Sequence, residues 1–260
     1  MDIRLYQIDA FADRLFGGNP AAVCPLETWL PDEVMQQIAF ENNLSETAFY
    51  VPTDRGYHIR WFTPAVEVAL CGHATLASAY VIFTYGGHAG DAIELASKSG
   101  PLTVRREGEL LVLDFPSGPP APAAPPPGLS EALGGKPVAT LKGKTDYLIV
   151  YETEEEVATL APDIPALGRV EARGIVVTAP GRQVDFVSRF FAPRVGVAED
   201  PVTGSAHTML TPYWSARLGK LVMSALQLSK RRGRLRCRLA GDRVEIAGRA
   251  VPYLVGTITI

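Results

Sequence analysis

The residues of this chain that could do chemistry lie mainly in two short stretches. One contains Cys71 and His73, and the other contains Asp200, Ser205 and His207. A serine hydrolase is disfavoured because the serine lacks a Gly-x-Ser-x-Gly elbow, and residues two apart at a helix start point to different sides. A zinc site is disfavoured because no Cys and His pair has a standard ligand spacing and a fourth ligand is missing. No dinucleotide fingerprint or glycine-rich phosphate loop is present.

The two stretches are copies of one pattern, residues 60–75 and residues 189–206. At an offset of 129 (189 − 60), arginine, phenylalanine, proline and valine residues line up, and Cys71 falls on Asp200. An insertion of residues 201–203 then changes the offset to 132, which matches Gly72 with Gly204 and His73 with Ser205. A repeat of this length predicts two similar lobes, each with a strand, a glycine turn and a helix. We expect a site where the two turns meet.

Each glycine turn could bind an anion. The first N–H groups of a helix have no partner within it, and the helix dipole adds partial positive charge there. One such turn can bind a carboxylate or a phosphate, and two could hold an anionic small molecule. The alternative is a plain strand–turn–helix connection, but the doubled pattern and its polar residues favour function.

A further candidate, Glu46, lies in a strand-like apolar run over residues 44–51. An unpaired buried carboxylate is costly, so this position needs an explanation. One interpretation is an outward-facing or capping glutamate, since Ser45 and Thr47 are equally polar. The other is an acid/base group. The residues alone leave both open.

The elements that must position these residues follow from hydrophobic periodicity. Alternation predicts strands near residues 2–10, 56–62, 91–97, 102–106, 110–115, 138–141, 146–151 and 174–178. Helices are predicted over residues 31–41, 152–160, 73–85 and 206–218, with Pro212 kinking the last of these or shortening its start. Residues 73–85 are apolar or small on every side, which predicts a helix buried inside a cup of strands. Residues 162–167 resemble a loop.

Residues 16–24 contain a turn that is followed by a short apolar run. Gly17 and Gly18 permit positive φ, and Asn19-Pro20 fixes the exit of the turn. The simpler interpretation is a hairpin corner. The functional one is an Asn19 amide presented at a cleft.

Composition limits the classes of partner. The formal net charge of −3 gives no general attraction to nucleic acid or to anionic membranes. The basic run at residues 229–239 alternates with apolar residues, as in an amphipathic strand with a solvated face. The longest apolar run is too short to span a bilayer, and the N-terminus lacks a signal-peptide core. The chain has three cysteines, a number that predicts a reduced, cytoplasmic setting.

Proline density marks a linker at residues 116–128, which predicts an extended, semi-rigid spacer. We therefore expect an N-terminal lobe over residues 1–117, a linker over 118–128 and a C-terminal lobe over 129–260. The last strand can return to the N-terminal lobe.

Four motifs occur in a fixed order along the chain: Phe16-Gly-Gly-Asn-Pro-Ala-Ala-Val, Asn43-Leu-Ser-Glu-Thr-Ala-Phe, Cys71-Gly-His-Ala-Thr and Glu199-Asp-Pro-Val-Thr-Gly-Ser-Ala-His. Together they resemble the phenazine-biosynthesis isomerase family, the PhzF-like proteins. The resemblance implies an α+β fold like that of diaminopimelate epimerase, with two pseudo-symmetric lobes. Each lobe would be a barrel-like, mostly antiparallel sheet around a central helix. It also implies a homodimer without a metal or a cofactor.

The resemblance further implies an isomerase that moves a proton within a small carboxylate, like trans-2,3-dihydro-3-hydroxyanthranilate isomerase. It places the catalytic glutamate on Glu46, with His73 and Asp200 as assisting catalytic residues. The substrate-binding positions it implies are Asn19, Gly72, Gly204 and Ser205. Such an acid/base needs a pKa raised by burial toward neutrality, which we expect for Glu46.

Departures from the related families keep alternatives open. Epimerases of this fold use two cysteines as acid and base, whereas here Cys71 is matched by Asp200. An epimerase or racemase using Cys71 and Asp200 is therefore the second hypothesis. A non-catalytic small-molecule or protein-binding member of the fold is the third. Gln227-Leu228 stands where a Gln-Gly pair is expected, so the substrate role of that loop stays open.

Overall fold

The computed structural model describes all 260 residues, with seventeen β-strands, six α-helices and one 3-10 helix. The elements up to the eighth strand are β1 (Asp2–Ala10), β2 (Asn19–Pro25), α1 (Asp32–Asn42), β3 (Glu46–Thr53), β4 (Gly56–Phe62), β5 (Glu67–Val68), α2 (Gly72–Tyr85), β6 (Ala92–Ala96), β7 (Leu102–Glu107) and β8 (Leu110–Pro116). The remaining elements are β9 (Ala121–Pro122), α3 (Leu129–Leu133), β10 (Ala139–Lys142), β11 (Asp146–Val150), α4 (Glu154–Thr159), α5 (Ile164–Leu167), β12 (Gly174–Pro180), β13 (Phe186–Phe191), the 3-10 helix Pro193–Val195, α6 (Gly204–Leu218), β14 (Val222–Gln227), β15 (Gly233–Ala240), β16 (Arg243–Gly248) and β17 (Ala250–Thr259). The chain is mixed α/β, and most strand pairs are antiparallel.

The chain divides into two compact units, one formed by Met1–Asp114 with Ala247–Ile260 and the other by Phe115–Ile246. The C-terminal residues belong to the first unit because β17 pairs antiparallel with β1, from Asp2 opposite Thr259 to Ala10 opposite Ala250.

In the first unit, β1 pairs with β17 on one side and with β2 on the other. The sheet continues with a parallel pair β2–β3, an antiparallel pair β3–β4, a parallel pair β4–β6 and an antiparallel pair β6–β7. Helix α2 packs against β1, β2 and β3. These three strands therefore form one wall around α2.

Helix α2 is the buried helix that the apolar run predicts. Ten of its fourteen residues are buried, and they face every side of the helix. The helix begins at Gly72 after Cys71, which makes no side-chain hydrogen bond to the first turn. The prediction of a buried helix over residues 73–85 is confirmed, and its first N–H groups are not capped by a side chain.

The second unit repeats the same series of strand pairs. A parallel pair β11–β12 is followed by an antiparallel pair β12–β13, a parallel pair β13–β14 and an antiparallel pair β14–β15. Helix α6 contacts β14 and β15 and begins at Gly204, again without a side-chain cap. The residue repeat thus corresponds to a repeat of strand pairing.

The matched arginines of the repeat form matched ion pairs. Arg60 binds Glu67 through Nε and Nη2 at 2.8 and 2.9 Å. Arg189 binds Glu199 through the same two atoms at 2.7 and 3.1 Å. Both pairs tie the last part of a strand to the segment that leads into a central helix. These arginines therefore stabilise the turns and are not candidates for chemistry.

Pro212 does not shorten the start of α6, which was one of the two effects we predicted, because it lies in the interior of a helix that begins at Gly204. Proline has no N–H and cannot bond to the carbonyl four residues before it. That carbonyl, on Thr208, instead accepts a hydrogen bond from Gly118 N at 3.1 Å. The proline-rich segment is thereby attached to α6, and it also contributes β9, which pairs with β10.

Residues 162–167 do not form the loop we predicted, because Ile164–Leu167 is a short helix. Asp163 caps it by accepting a hydrogen bond from Ala166 N at 2.9 Å. Proline at the first or second helical position fits this start, since its missing N–H has no helical partner there. The segment Asp163-Ile-Pro carries the sequence signal for this helix start, a capping aspartate followed by a proline in the first turn.

All three cysteines are buried free thiols. None of the helices is both long enough and apolar enough to cross a membrane.

Candidate active site

Glu46 is the first residue of β3, and its side chain is 18 % exposed. Helix α1 ends at Asn42, and the left-handed conformation of the next residue, Asn43, turns the chain toward β3. The parallel pairing with β2 then places Glu46 opposite Ala21. Because this position is at the edge of the core, the carboxylate is largely removed from water without being fully enclosed.

His73, the second residue of α2, is the partner of Glu46. Its Nε2 lies 3.1 Å from Glu46 Oε2, and only 6 % of its side chain is exposed. The contact is an ion pair whose angles are not those of a hydrogen bond, so both atoms are buried without a hydrogen-bond partner. Buried polar atoms are nearly always hydrogen-bonded, and exceptions are common at reactive sites. The sequence placed both residues among the catalytic candidates, and the structure brings them together.

Asn19 and Cys71 lie on the other side of the His73 ring. Asn19 Nδ2 is 3.2 Å from His73 Nδ1, and Cys71 Sγ is 3.5 Å from the same nitrogen. A neutral ring accepts the amide proton at Nδ1 and carries its own proton on Nε2, which faces Glu46, whereas an imidazolium is protonated on both nitrogens and takes the oxygen of the same amide as the acceptor for Nδ1–H. Asn19 is fully buried, so its amide orients His73 and is not presented at a surface.

Gly18 explains how Asn19 reaches this position. Its φ is +63°, and a Cβ there would lie 2.1 Å from the carbonyl oxygen of Ala10. Only glycine allows the chain to pass so close to β1 and still deliver the next side chain to α2. The Gly17-Gly18-Asn19 motif is therefore both a corner and a support for His73.

The pKa of Glu46 is shifted in the direction opposite to the one we expected. Burial is the largest influence and would raise it, but the positive charge of His73 outweighs burial, so the pKa is lowered. For His73, burial is again the largest influence and disfavours the cation. Cys71 and the negative charge of Glu46 outweigh it, and the pKa of His73 lies well above its usual value. The resting pair is a carboxylate beside an imidazolium, and the expectation of a Glu46 pKa raised toward neutrality is wrong.

Cys71 is a protonated thiol at neutral pH. Burial, and after it the charge of Glu46, raises the pKa of Cys71 to about 11. A thiolate is the form that takes a proton from carbon or attacks an electrophile. The structure therefore gives no support to Cys71 as a base at this site.

In the second unit, Asp200 and Thr203 form a hydrogen-bonded turn before α6. Thr203 Oγ1 donates to Asp200 Oδ2 at 2.5 Å. The fully buried Gln227 supports this turn: its Oε1 accepts from Thr203 N at 2.9 Å, and its Nε2 donates to the Asp200 carbonyl at 2.8 Å. Gln227, whose role the sequence left open, thus holds the turn in place. A polar side chain at an inward position of β14 was the signal for it.

The structural counterpart of Cys71 is Thr203, not Asp200. Each is the residue immediately before a central helix. Four residues on, Thr75 donates to the Cys71 carbonyl at 2.5 Å, and His207 Nδ1 contacts the Thr203 carbonyl at 2.8 Å. The three-residue insertion of the second copy therefore lies before Thr203. The alignment of Cys71 with Asp200 is wrong.

Ser205 is exposed at the start of α6, and Arg173 Nη2 donates to its Oγ at 3.1 Å. Arg173 is itself bound to the buried Asp146, with Nε to Oδ1 at 2.9 Å. Neither residue was singled out from the sequence. Asp146 carried the same signal as Glu46, an acid at the first position of a buried strand.

Only Glu46, Cys71 and His73 form a group that could hold a metal ion, with ligand atoms within 4.8 Å of one another. The thiol contacts one ring nitrogen and the carboxylate faces the other. The two groups thus lie on opposite nitrogens of the ring, and one ion could take only one of these nitrogens. His207, the third ligand of the disfavoured zinc site, is not in this group. Its burial lowers the pKa to about 4 and keeps it neutral.

Comparisons with known proteins agree with the fold and with the family that the motifs resemble. The family model described as "Phenazine biosynthesis-like protein" matches residues 8–256. A Pseudomonas aeruginosa protein named as an uncharacterized isomerase is 55 % identical over 99 % of both chains. The crystal structure of a phenazine biosynthesis protein of the PhzF family from Enterococcus faecalis has a TM-score of 0.98, at 47 % identity and full coverage of both chains. A probable proline racemase from Agrobacterium radiobacter shares the fold, with a TM-score of 0.69 at 9 % identity over 99 % of this chain and 93 % of that one.

Proposed function

Because this chain belongs to the phenazine biosynthesis-like protein family, we propose that it is an isomerase that moves a proton within a small carboxylate substrate without a cofactor. Glu46 is the single acid/base. The observation that carries the proposal is the buried contact between Glu46 Oε2 and His73 Nε2 at 3.1 Å, two atoms that have no other polar partner in the chain. A substrate of the trans-2,3-dihydro-3-hydroxyanthranilate type is the first to test.

The proton cycle follows from the ionised state of the pair. The Glu46 carboxylate takes a proton from a substrate carbon, and the electron pair of that C–H bond moves into the conjugated system. The protonated Glu46 then returns the proton to a different carbon, which restores the carboxylate. One residue serves as base and then as acid, so the reaction needs no net proton, electron or co-reactant.

His73 adjusts the strength of this base. Its positive charge stabilises the carboxylate, which makes Glu46 a weaker base in the resting enzyme. The same charge stabilises the negative charge that develops on the substrate as its proton leaves. Asn19 acts through His73 as a positioning residue, because its amide sets the orientation of the ring.

The other assigned positions bind substrate or support its binding. Gly72 and Gly204 leave the first N–H groups of α2 and α6 without a side-chain cap, so these groups can hold a carboxylate. Ser205 contributes a hydroxyl to substrate binding. Asp200 is an assisting catalytic residue, and Thr203 and Gln227 support the turn in which it lies. We further propose that the two units are pseudo-symmetric lobes, each with a barrel-like sheet around its central helix, and that the protein is a cytoplasmic homodimer.

The test is deuterium transfer from heavy water. Wild-type protein incubated with trans-2,3-dihydro-3-hydroxyanthranilate in heavy water should form the isomer. It should also introduce deuterium at the accepting carbon, because the partly exposed Glu46 carboxyl exchanges its proton with solvent before it returns one to the substrate. NMR follows isomer formation and deuterium incorporation. Glu46→Gln should lower the rate by about 100- to 10,000-fold, the range for loss of a general acid/base. Glu41→Gln removes an exposed carboxylate with no partner and should leave the rate unchanged. A Glu46→Gln protein that folds and turns over at the wild-type rate would refute the proposal.

An epimerase with Cys71 as its base has less support. Taking a proton from carbon needs the thiolate, and burial raises the pKa of Cys71 to about 11, which keeps the thiol protonated. Its counterpart before α6 is Thr203, whose hydroxyl already donates to Asp200.

A further inference from the structure

Arg173, which immediately precedes β12, is held in one orientation by a buried acid. Its Nε donates to Asp146 Oδ1 at 2.9 Å, and its Nη2 contacts Asp146 Oδ2. The Asp146 side chain is 7 % exposed and that of Arg173 is 41 % exposed. A bidentate pair of this kind fixes the plane of the guanidinium as well as its place. One edge of Arg173 is therefore anchored in the protein and the other reaches solvent.

An aromatic ring supports the guanidinium from one face. The ring of Phe190 lies with its centroid 5.6 Å from Arg173 Cζ. The ring can occupy this position because residue 174 is glycine: a Cβ there would lie 2.2 Å from Phe190 Cζ. Gly174 thus makes room for the support under Arg173. A guanidinium held by a carboxylate and an aromatic face loses little conformational freedom when it binds a further group.

Two hydrogen-bond donors at this site have no acceptor within the chain. Arg173 Nη2 donates to Ser205 Oγ at 3.1 Å. Because the hydroxyl oxygen accepts there, its own proton points elsewhere, and it makes no hydrogen bond within the chain. Arg173 Nη1 likewise makes none. One N–H edge and one O–H group, side by side, match the two oxygens of a carboxylate.

This arrangement occupies the place that the acid/base pair has in the first unit. Glu46 opens β3 opposite Ala21 of β2, and Gly174 opens β12 opposite Asp146 of β11. His73 and Ser205 are both the second residue of a central helix. By this register the counterpart of Glu46 is Gly174, and Arg173 immediately precedes it, so the contact between Arg173 and Ser205 lies one residue from the position of the contact between Glu46 and His73. The repeat has placed a proton carrier in one unit and a cation with free donors in the other.

We propose that Arg173 is a specificity-determining residue that binds the carboxylate of the substrate, with the Ser205 hydroxyl as the second donor. The inference rests on the proposed function, in which the substrate is a small organic acid. Asp146 and Phe190 are positioning residues for Arg173. The selected substrate class is one with a carboxylate, and a neutral amide of the same shape is rejected because it offers only one acceptor oxygen and no charge.

The experiment compares anthranilate with its neutral counterpart anthranilamide by isothermal titration calorimetry. Wild-type protein should bind anthranilate at least 10-fold more tightly than the amide. Arg173→Met should weaken anthranilate binding by about 10- to 100-fold, the range for loss of a charged hydrogen bond, and leave amide binding unchanged. Ser205→Ala should weaken anthranilate binding by a smaller factor. Arg182→Met, which removes an exposed arginine of the same unit, should change neither affinity.

A second variant distinguishes the loss of a binding contact from misfolding. Arg173→Met leaves the buried Asp146 carboxylate without its partner, so Arg173→Met combined with Asp146→Asn should restore stability without restoring the preference for anthranilate. If the double variant loses affinity for anthranilate and anthranilamide equally, the proposal is overturned, because a purely structural role of Arg173 would not distinguish a charged ligand from a neutral one. Failure of anthranilate to bind the wild type at millimolar concentration would overturn it as well.

The same titrations with Glu46→Gln separate this inference from the proposed function. If Arg173 binds the carboxylate, Glu46→Gln keeps the preference for anthranilate whatever its effect on deuterium transfer. A preference for anthranilate that depends on Arg173, together with no formation of the isomer by the wild type, would reject the isomerisation and retain the carboxylate site.

Discussion

Replacing Glu46 with glutamine should destabilise the protein by an amount that depends on pH. At the observed separation of 3.1 Å, the attraction between the two charges is about 5 kcal/mol at an effective dielectric constant of about 20. Burying the two ions costs several kcal/mol each, and His73 can release its proton once its partner is gone. We therefore expect a net loss of about 1–3 kcal/mol in the free energy of unfolding, which is a small remainder of larger opposing contributions.

The sign of the pH dependence of stability follows from the shifts in the pKa of Glu46 and the pKa of His73. The lowered pKa of Glu46 contributes stability that is present above the ordinary value of 4.5 and is lost as pH falls through the folded value. The raised pKa of His73 contributes stability that is complete below the ordinary value of 6.5 and is lost as pH rises through the folded value. The difference between wild type and Glu46→Gln should therefore be greatest between pH 4.5 and 6.5.

Thermal unfolding across the pH range measures this difference. For a chain of this size, each kcal/mol corresponds to about 2–4 °C in Tm. Glu41→Gln is the matched control, because it makes the same chemical change at an exposed position of the same unit and should give a small, flat difference. NMR titration of His73 should show its pKa falling in Glu46→Gln. A difference in Tm that is constant from pH 4.5 to 9, or a His73 pKa that does not fall, would refute the ion pair.

Three further substitutions test neighbouring features. Cys71→Ala should keep isomerase activity, and in the wild type this thiol should resist iodoacetamide at pH 8 until the protein unfolds, because its pKa is about 11. Gln227→Leu should lower the free energy of unfolding in urea by about 1–3 kcal/mol, because it leaves buried groups of the turn before α6 unpaired; an unchanged midpoint would contradict this role. Gly174→Ala should destabilise by about 1–3 kcal/mol through overpacking against Phe190, and adding Phe190→Leu should recover part of the loss, as measured in the same urea series.

Much of the secondary structure could be predicted because it depends on local pattern. Helix α2 is an example: small and apolar residues on every side predict burial on every side, and the helix is buried as expected. Helix α5 is a counter-example, since its four residues are too few to show a period. The effect of Pro212 was also missed, because the partner of the freed Thr208 carbonyl, Gly118, is far away in the sequence.

The candidate site was predictable in its residue types but not in its electrostatics. Glu46 and His73 could be chosen because each is a polar residue in an apolar setting. The pKa shift of Glu46 depends on which charge lies beside it, and that charge comes from another element. The contribution of Arg173 and Asp146 was missed for the same reason, since neither belongs to a local motif and only strand pairing brings Asp146 opposite Gly174.

The sequence by itself determined that the chain is a repeat with two central helices, each beginning at a glycine, and that Cys71 and His73 stand at the first of these starts. Those properties follow from residue types and their spacing along the chain. The tertiary structure alone decided that Glu46 is an ionised partner of His73, that Asn19, 54 positions away from His73, orients its ring, and that Thr203 is the counterpart of Cys71. The reason is that the charge on a buried group depends on distances across elements, which no local pattern contains.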